Sequence, residues 1–447
     1  MTCMFEWSDE HVMIRDAVRQ FVESEIRPRR DELEFGDTPP YEVLRSMYRT
    51  FGLDALAREQ FKKRIEREAV AASEASPRLA EERAPQRDGG AEGATPDGRW
   101  VGGSGRGSRP AASDDRREDR RDGAGAMFVI PIIELCRCSP GMVTALGVSV
   151  GLTPAAILSK GTIAQKERWA LDLLTLDKIG AWAITEPNSG SDAFGMMQST
   201  ARRDGDEYVL NGSKTFITNG PYADTTVFIC KLDEGNPPEE RKVLTFVLDK
   251  GMEGFEQSKP LRKMGMHSSP TGQLFLTDVR VGRDRLLGET EEVPAGGREG
   301  AKSTFVQERT GVAAMALGIV ERCLELCLDY ARERVQFGQP IGQYQLIQLK
   351  LAKMEVARVN LQNLVFRQIE MAGAGKVMDL AEASACKLYG AQAAMEVALE
   401  AVQLFGGNGY MAEYEVEQLC RDAKVLQIYA GTDEIQVSQI ARTLLAG

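Results

Sequence analysis

Apolar positions recur at helix-like intervals at the start of the chain and over its last third, with β-rich runs between them. Val12, Ile14, Val18, Phe21, Val22 and Ile26 mark an amphipathic helical stretch that begins near Asp9 and is ended by Arg27-Pro28. A second amphipathic stretch, Tyr41 to Leu53, follows Pro39-Pro40, and helical patterning fades at about Leu56. From about Ser76 to Ala126 the chain is mostly Gly, Arg, Asp, Glu, Pro and Ser, as in Asp114-Asp-Arg-Arg-Glu-Asp-Arg-Arg121. Too few apolar groups are present there to offset the entropy of ordering, which predicts a disordered insertion without chemistry of its own.

Helical signals resume from Met127 to Leu174. Ile179 to Leu287 reads as strands, with β-rich runs at Thr225 to Cys230, Val243 to Leu248 and Gln273 to Val281. Within it, Tyr208-Val-Leu210, Asn211-Gly212 and Lys214-Thr-Phe-Ile217 read as a hairpin whose turn needs positive φ. From Ala301 onward the pattern is helical again, over Ser303 to Arg334, Gln345 to Ala372 and Asp379 to Leu404. Helices, then strands, then helices make an α+β chain.

At 447 residues the chain can bury more than one core or one large layered core. No run of about 18 apolar residues stands out, so no membrane span is expected. The start, Met-Thr-Cys-Met-Phe-Glu-Trp7, lacks the basic and apolar regions of a signal peptide. A formal net charge of −11 argues against nucleic acid as a partner. The cysteines are scattered, Cys136 and Cys138 forming the one close pair, and only His11 and His267 could add imidazole ligands. That spacing matches no zinc pattern. A reduced, metal-free cytoplasmic protein is the expectation.

Two segments carry the chemistry. Trp182-Ala-Ile-Thr-Glu-Pro-Asn-Ser-Gly-Ser-Asp192 and Asn211-Gly-Ser-Lys-Thr-Phe-Ile-Thr-Asn-Gly220 set hydroxyls and turn formers beside apolar β-formers. Such loops offer hydroxyls and backbone N–H groups of the kind that surround a flavin ring and its pyrophosphate. Both resemble the flavin-binding middle domain of the acyl-CoA dehydrogenases, whose patterns T-E-P-x-x-G-S-D and N-G-x-K-x-x-I-T-N-G they follow in order. Arg334-Val-Gln-Phe-Gly338 and Gln403-Leu-Phe-Gly-Gly-Asn-Gly-Tyr410 resemble two C-terminal motifs of the same family.

The resemblance implies a three-part fold: an N-terminal helical domain (1–178, with 76–126 as the insertion), a middle β-barrel-like domain (179–290) and a C-terminal four-helix bundle (301–447). It implies FAD as cofactor, an acyl-CoA thioester as substrate, an electron-transfer flavoprotein as partner and a homotetramer as assembly. Trp182, Ile184 and Thr185 would line the flavin, Thr218 would bond near its N5 and Phe216 would pack on the ring face. Ser191 would touch the pyrophosphate and the substrate. Arg334, Phe337, Gln403, Gly406 and Gly407 would reach the cofactor of a neighbouring subunit. Thr432 and Glu434 align with positions that touch the flavin nucleotide.

The reaction implied is α,β-dehydrogenation, which needs a carboxylate base of raised pKa and a site for the developing enolate oxygen. Many relatives carry that base in a Tyr-Glu-Gly-Thr loop, whereas this chain has Tyr429-Ala-Gly-Thr432. Either the base is missing or it lies elsewhere. Branches of the family such as the isovaleryl-CoA and long-chain enzymes place it in a helical Glu-Arg pair, and Glu308-Arg309 matches that pair. Phe305, Val312, Met315, Ile319 and Leu326 mark an apolar stripe on the same helix, and Glu308 falls on it. A carboxyl there is desolvated, which raises its pKa. The Ala430 backbone N–H would bond the thioester carbonyl, and Arg309, Tyr429 and Gly431 would lie against the substrate.

Two departures from the family stand out. His267, in Met264-Gly-Met-His-Ser-Ser-Pro-Thr271, replaces a family arginine, and a neutral loop role is expected for it. The charged insertion replaces a P-x-x-x-G-G-x-G turn that helps shape the acyl pocket in relatives. An acyl-CoA oxidase and a non-catalytic flavoprotein of the same fold stand as alternatives.

Overall fold

A computed structural model describes residues 6–82, 115–292 and 297–446. The N-terminal part is helical: α1 (Asp9–Phe21), α2 (Arg30–Phe35), α3 (Tyr41–Thr50), α4 (Leu53–Glu82), α5 (Asp115–Cys136), α6 (Pro140–Leu146), α7 (Thr153–Lys160) and α8 (Ile163–Leu174). Local chemistry starts these helices where they start. The Ser8 hydroxyl accepts from His11 N–H at the head of α1. Thr162 and Gln165 form a reciprocal capping box on α8. Pro140 opens α6 at a position where its missing N–H costs nothing.

The strands follow: β1 (Gly180–Ala183), β2 (Thr200–Asp204), β3 (Glu207–Thr218), β4 (Thr225–Leu232), β5 (Val243–Asp249), β6 (Phe255–Gln257) and β7 (Thr271–Gly282). They build one sheet in the order β1-β4-β2-β3-β7-β6, with β5 on the other side of β4. β4 is buried along its whole length. Phe228 and Cys230 face the inner core of the sheet, while Val227 packs outward with Val247 against Trp169, Ala170 and Leu173 of α8.

The C-terminal part is helical again, with α9 (Gly297–Glu333), the short ribbon β8 (Val335–Gln336) and β9 (Gln339–Pro340), then α10 (Gln345–Gly373), α11 (Leu380–Phe405), α12 (Glu415–Leu426) and α13 (Asp433–Leu445). Its core is continuous with that of α1, α3 and α5, so the two helical parts share one apolar interior. The order is the expected one: helices, a curled sheet, helices.

Three expectations need correction. Asn211-Gly212 is not a hairpin turn. β3 runs straight through it, and the β2–β3 turn lies at Gly205 (φ +64). Gly212 instead sits at a β-bulge with φ +149, where an added Cβ would overlap Ser199 Oγ. An Asn-Gly pair signals positive φ, and a bulge uses that freedom as readily as a turn does.

Helical structure also does not stop near Leu56. α4 continues to Glu82, and α5 already begins at Asp115. Phe61 and Ile65, one turn apart on α4, pack on the α8 cluster, while Lys166 Nζ pairs with Glu68 at 2.7 Å and Arg64 donates to Leu158 O at 3.0 Å. The dense charge of this stretch hid a short apolar stripe. Of the disorder expected over about 76–126, residues 83–114 lie outside the described residues.

The third correction concerns hydropathy. Pro140–Lys160 is a helical run of mean hydropathy 1.7, long and apolar enough by length and composition to cross a membrane. Half of it is buried inside the fold, where it packs between the helical parts and the sheet.

Candidate active site

β1 delivers Trp182 and Ile184 to the loop that follows it, and β3 delivers Phe216 and Thr218 alongside. One backbone bond joins the two segments, from Thr215 N–H to Thr185 O at 2.9 Å. Glu186 and Lys214, which sequence reasoning passed over, hold them together. Lys214 Nζ donates to Glu186 Oε1 at 2.8 Å and to Ile184 O at 3.0 Å, and the Glu186 carboxylate also accepts from the N–H groups of Gln198 (2.6 Å) and Ser199 (2.9 Å). Lys214 is 0% exposed and Glu186 4%. Burial alone would raise the Glu186 carboxyl. Hydrogen bonds from Lys214, Ser199 and Gln198 outweigh it and hold the group below its ordinary range. Both residues stood inside the quoted motifs, the glutamate after Thr185 and the lysine before Phe216, so the signal was present but their pairing was not.

Phe216 has φ +57 and lies at the second bulge of β3, which turns its ring outward to 68% exposure. Thr185 and Thr218 are half-buried, and Ser191 is exposed beyond a turn closed by Glu186 and Ser189. An outward-facing aromatic ring on a strand bonded to the Thr185 segment offers a stacking face near hydroxyls that can bond a flavin's edge, so these residues fit the cofactor. Asn219, also missed, has φ +62 and is fully buried. Its side-chain amide donates to Ala145 O and Gly180 O and accepts from Tyr41 O–H, tying the end of this segment to α3 and α6.

The second half of the site lies on α9. Val312, Met315 and Ile319 are buried, as the stripe predicted, whereas the Phe305 side chain lies outside the described residues. Glu308 is half-buried on that face, and burial pushes its carboxyl up to about 7, against the pull of Arg309 and Lys387. Tyr429 O–H donates to Met315 Sδ at 3.3 Å, and burial above all pushes its phenol up, with smaller help from charges that include Glu308. Tyr429 therefore comes down on the face of α9 that carries Glu308.

The turn after Tyr429 has Ala430 at φ +53 and Gly431 at φ +85. Alanine in the left-handed region is uncommon and costs energy that the surroundings must offset. The fully buried Gln436 does so, its Nε2 donating to Ala430 O at 3.0 Å and Gly431 O at 2.7 Å. Arg309 is buried, donates to Ser384 Oγ at 2.8 Å and reaches toward Gly431. Thr432 caps α13 by accepting from Ile435 N–H, and it holds the exposed Glu434 carboxyl below its ordinary range. Glu308, Arg309, Tyr429, Ala430 and Gly431 are thus brought together.

Arg334, Phe337, Gln403, Gly406 and Gly407 gather elsewhere, at one end of the bundle. Tyr330 of α9 stacks on Phe405 at 4.0 Å, and Asn408 Nδ2 donates to the Tyr330 hydroxyl at 3.0 Å, which sets the glycine turn beside the α9 terminus. Phe337, in a tight β8–β9 turn at φ +50, is 96% exposed, and Tyr410 is 80% exposed.

His267 links its loop to α2, its ring nitrogens lying 2.8 Å from Glu34 O and from Lys263 O.

The model of the acyl-CoA dehydrogenase middle domain matches residues 181–279, and that of the C-terminal domain matches residues 295–445. The chain is 38% identical over 318 residues to the short-chain-specific acyl-CoA dehydrogenase of Megasphaera elsdenii, covering 71% of this chain and 81% of the relative. It is 32% identical over 441 residues to the 3-(aryl)acrylate reductase of Clostridium sporogenes, covering 98% of this chain and 99% of the relative. Among solved structures, butyryl-CoA dehydrogenase from Megasphaera elsdenii matches with a TM-score of 0.75 at 30% identity, over 99% of this chain and 100% of that one. With a sheet between two helical parts and both domain models matched in order along it, the chain belongs to the acyl-CoA dehydrogenase family of flavoprotein oxidoreductases.

Proposed function

We propose that the protein binds FAD and converts an acyl-CoA thioester to its trans-2-enoyl-CoA, with electrons passing on to an electron-transfer flavoprotein. The observation that carries this reading is the placing of Glu308: its carboxyl is raised to about 7 by burial and shares a face of α9 with the contact made by Tyr429. A carboxylate poised near neutral pH is suited to removing a weakly acidic α-proton.

The residues divide the work. Glu308 takes the α-proton. The Ala430 N–H, in a turn pinned by Gln436, is the donor offered to the thioester carbonyl as negative charge builds there. Alanine keeps the backbone donor that a glutamate would have and leaves room for the carboxylate arriving from α9. Arg309 balances the Glu308 charge from beside it. Thr185 and Thr218 hold the edge of the flavin, and Phe216 covers one face. Bound there, the flavin supplies the acceptor for the hydride that leaves the β-carbon.

Arg334, Phe337 and the Gly406-Gly407 turn serve a neighbouring subunit in a homotetramer. The support is exposure: an aromatic ring left 96% open at a rigid turn is a contact awaiting a surface. The test is anaerobic mixing of the flavin-loaded protein with a panel of acyl-CoAs while the visible flavin band is followed. Bleaching by one thioester supports the reading and names the substrate class. Bound flavin bleached by none overturns it in favour of a non-catalytic flavoprotein. Rapid reoxidation of the bleached protein by dioxygen, without an acceptor protein, replaces the dehydrogenase by an oxidase.

A further inference from the structure

α11 carries a lysine, Lys387, that is 0% exposed. Lysine is almost never fully buried unless it is paired. Its Nζ donates to Asp433 Oδ1 at 3.2 Å. The other oxygen of Asp433 accepts from Gln427 Nε2 at 3.1 Å and from Gln392 Nε2 at 3.4 Å, while the Asp433 N–H donates to Gln427 O at 3.1 Å. One carboxylate therefore gathers α11, the end of α12 and the first turn of α13. The segment it closes, between Gln427 and Asp433, is the turn that contains Ala430.

The same face of α11 holds the base segment. Ser384, one turn before Lys387, accepts the Arg309 hydrogen bond, and Arg309 is the neighbour of Glu308. The charged groups acting on Lys387 are Asp433, Arg309 and Glu434, and those acting on Glu308 are Arg309 and Lys387. The ammonium thus stands between the two halves of the reaction site without belonging to either.

We propose that Lys387 is a positioning residue for the dehydrogenation, clamping Asp433 so that the Ala430 turn stays in register with Glu308. This rests on the reading of Glu308 as base and of Ala430 as carbonyl donor. Breaking the clamp lets the two halves move apart, and a misplacement of about 1 Å can cost on the order of 100-fold in rate. Removing the cation also takes away one of the two charges that favour ionised Glu308.

The test uses the flavin-loaded enzyme and whichever acyl-CoA bleaches it. Lys387→Met is expected to lower kcat roughly 10- to 100-fold with a smaller change in KM, and to move the acid limb of the kcat profile to higher pH. Lys387→Arg is expected to return the limb toward its original position. Asp433→Asn breaks the clamp but leaves the cation, so kcat falls while the limb does not rise. This variant also covers the case in which Lys387→Met fails to fold. A Lys387→Met enzyme with reduced thermal stability but unchanged kcat and limb overturns the proposal, as does an Asp433→Asn enzyme with unchanged kcat. Glu308→Gln, run in parallel, separates the two levels: its loss of turnover keeps the base reading whatever Lys387 shows, and its survival overturns both.

Discussion

Tyr429 and Met315 meet through a hydrogen bond of 3.3 Å from phenol to thioether, and that contact seats the Tyr429 turn on α9. Met315 lies two helical turns beyond Glu308 on one face of α9, so the phenol is drawn to the side on which the carboxyl stands. A helix and a turn far apart in sequence are thereby brought together, with the Arg309 guanidinium lying near Gly431.

Replacing Glu308 with glutamine removes the base and keeps the shape. Flavin reduction by substrate is expected to slow by about 10²- to 10⁴-fold, with flavin content unchanged. In the parent enzyme only ionised Glu308 accepts a proton. With its carboxyl at about 7, kcat/KM should rise with pH through that value and level off above it. A stopped-flow series across pH reads both effects, and a flat profile would remove Glu308 from the role.

The Glu186–Lys214 pair is fully enclosed and holds the flavin loops in register. Lys214→Met leaves a buried carboxylate without its cation and is expected to cost about 3–5 kcal/mol, together with flavin retention. The double variant Glu186→Gln/Lys214→Met should recover part of the stability but not the loop geometry. Denaturant unfolding and the flavin-to-protein absorbance ratio report the two quantities separately.

Glu34, on α2, and Asp422, on α12, are buried carboxyls that meet where the two helical parts join the Lys263–Thr271 loop. Burial and the charges of Asp422 and Glu417 push Glu34 up, against Arg421 and Arg30, and burial pushes Asp422 up as well. The two titrate as a pair. A carboxyl raised in the folded state stabilises fully below its unfolded value and loses that contribution as pH climbs through the folded one. The contribution of Glu34 should therefore decline from 4.5 upward and be gone above about 8, while the rest of the fold's stability is unaffected. Thermal unfolding at a series of pH values should show Tm falling on the alkaline side, and Glu34→Gln should flatten that fall.

Phe337 and Tyr410 stand out from the bundle end that the flavin of another subunit is proposed to need. Substituting both with serine touches no core residue, so the monomer should fold. Size-exclusion chromatography with light scattering is expected to show smaller assemblies that hold less flavin. An unchanged tetramer with full flavin would place the interface elsewhere.

Much of this was legible along the chain, and the reasons are local. Helix period and caps are written in residues three or four apart, so α10 and α11 fall within a residue or two of expectation, and the Glu308 stripe on α9 could be read without a fold. The two motif segments were visible because a turn, a hydroxyl and a β-former must be adjacent in sequence to act together. Misreadings came where one local signal serves two geometries. Asn211-Gly212 offered positive φ, and only the approach of Ser199 made it a bulge rather than a turn. The short apolar stripe of α4 was masked by its charges until α8 was there to receive it.

The sequence by itself determined most element types and the two hydroxyl-rich motif segments, and it set Glu308 on the apolar face of its helix, because each depends on neighbours within a few residues. Only the tertiary structure decided which charges meet. Glu186 finds Lys214, Lys387 finds Asp433 and Tyr429 finds Met315 across separate elements. Each of these pairings is selected by burial, since a charge or phenol removed from water must find a partner, and which partner lies within reach is a property of packing rather than of order along the chain.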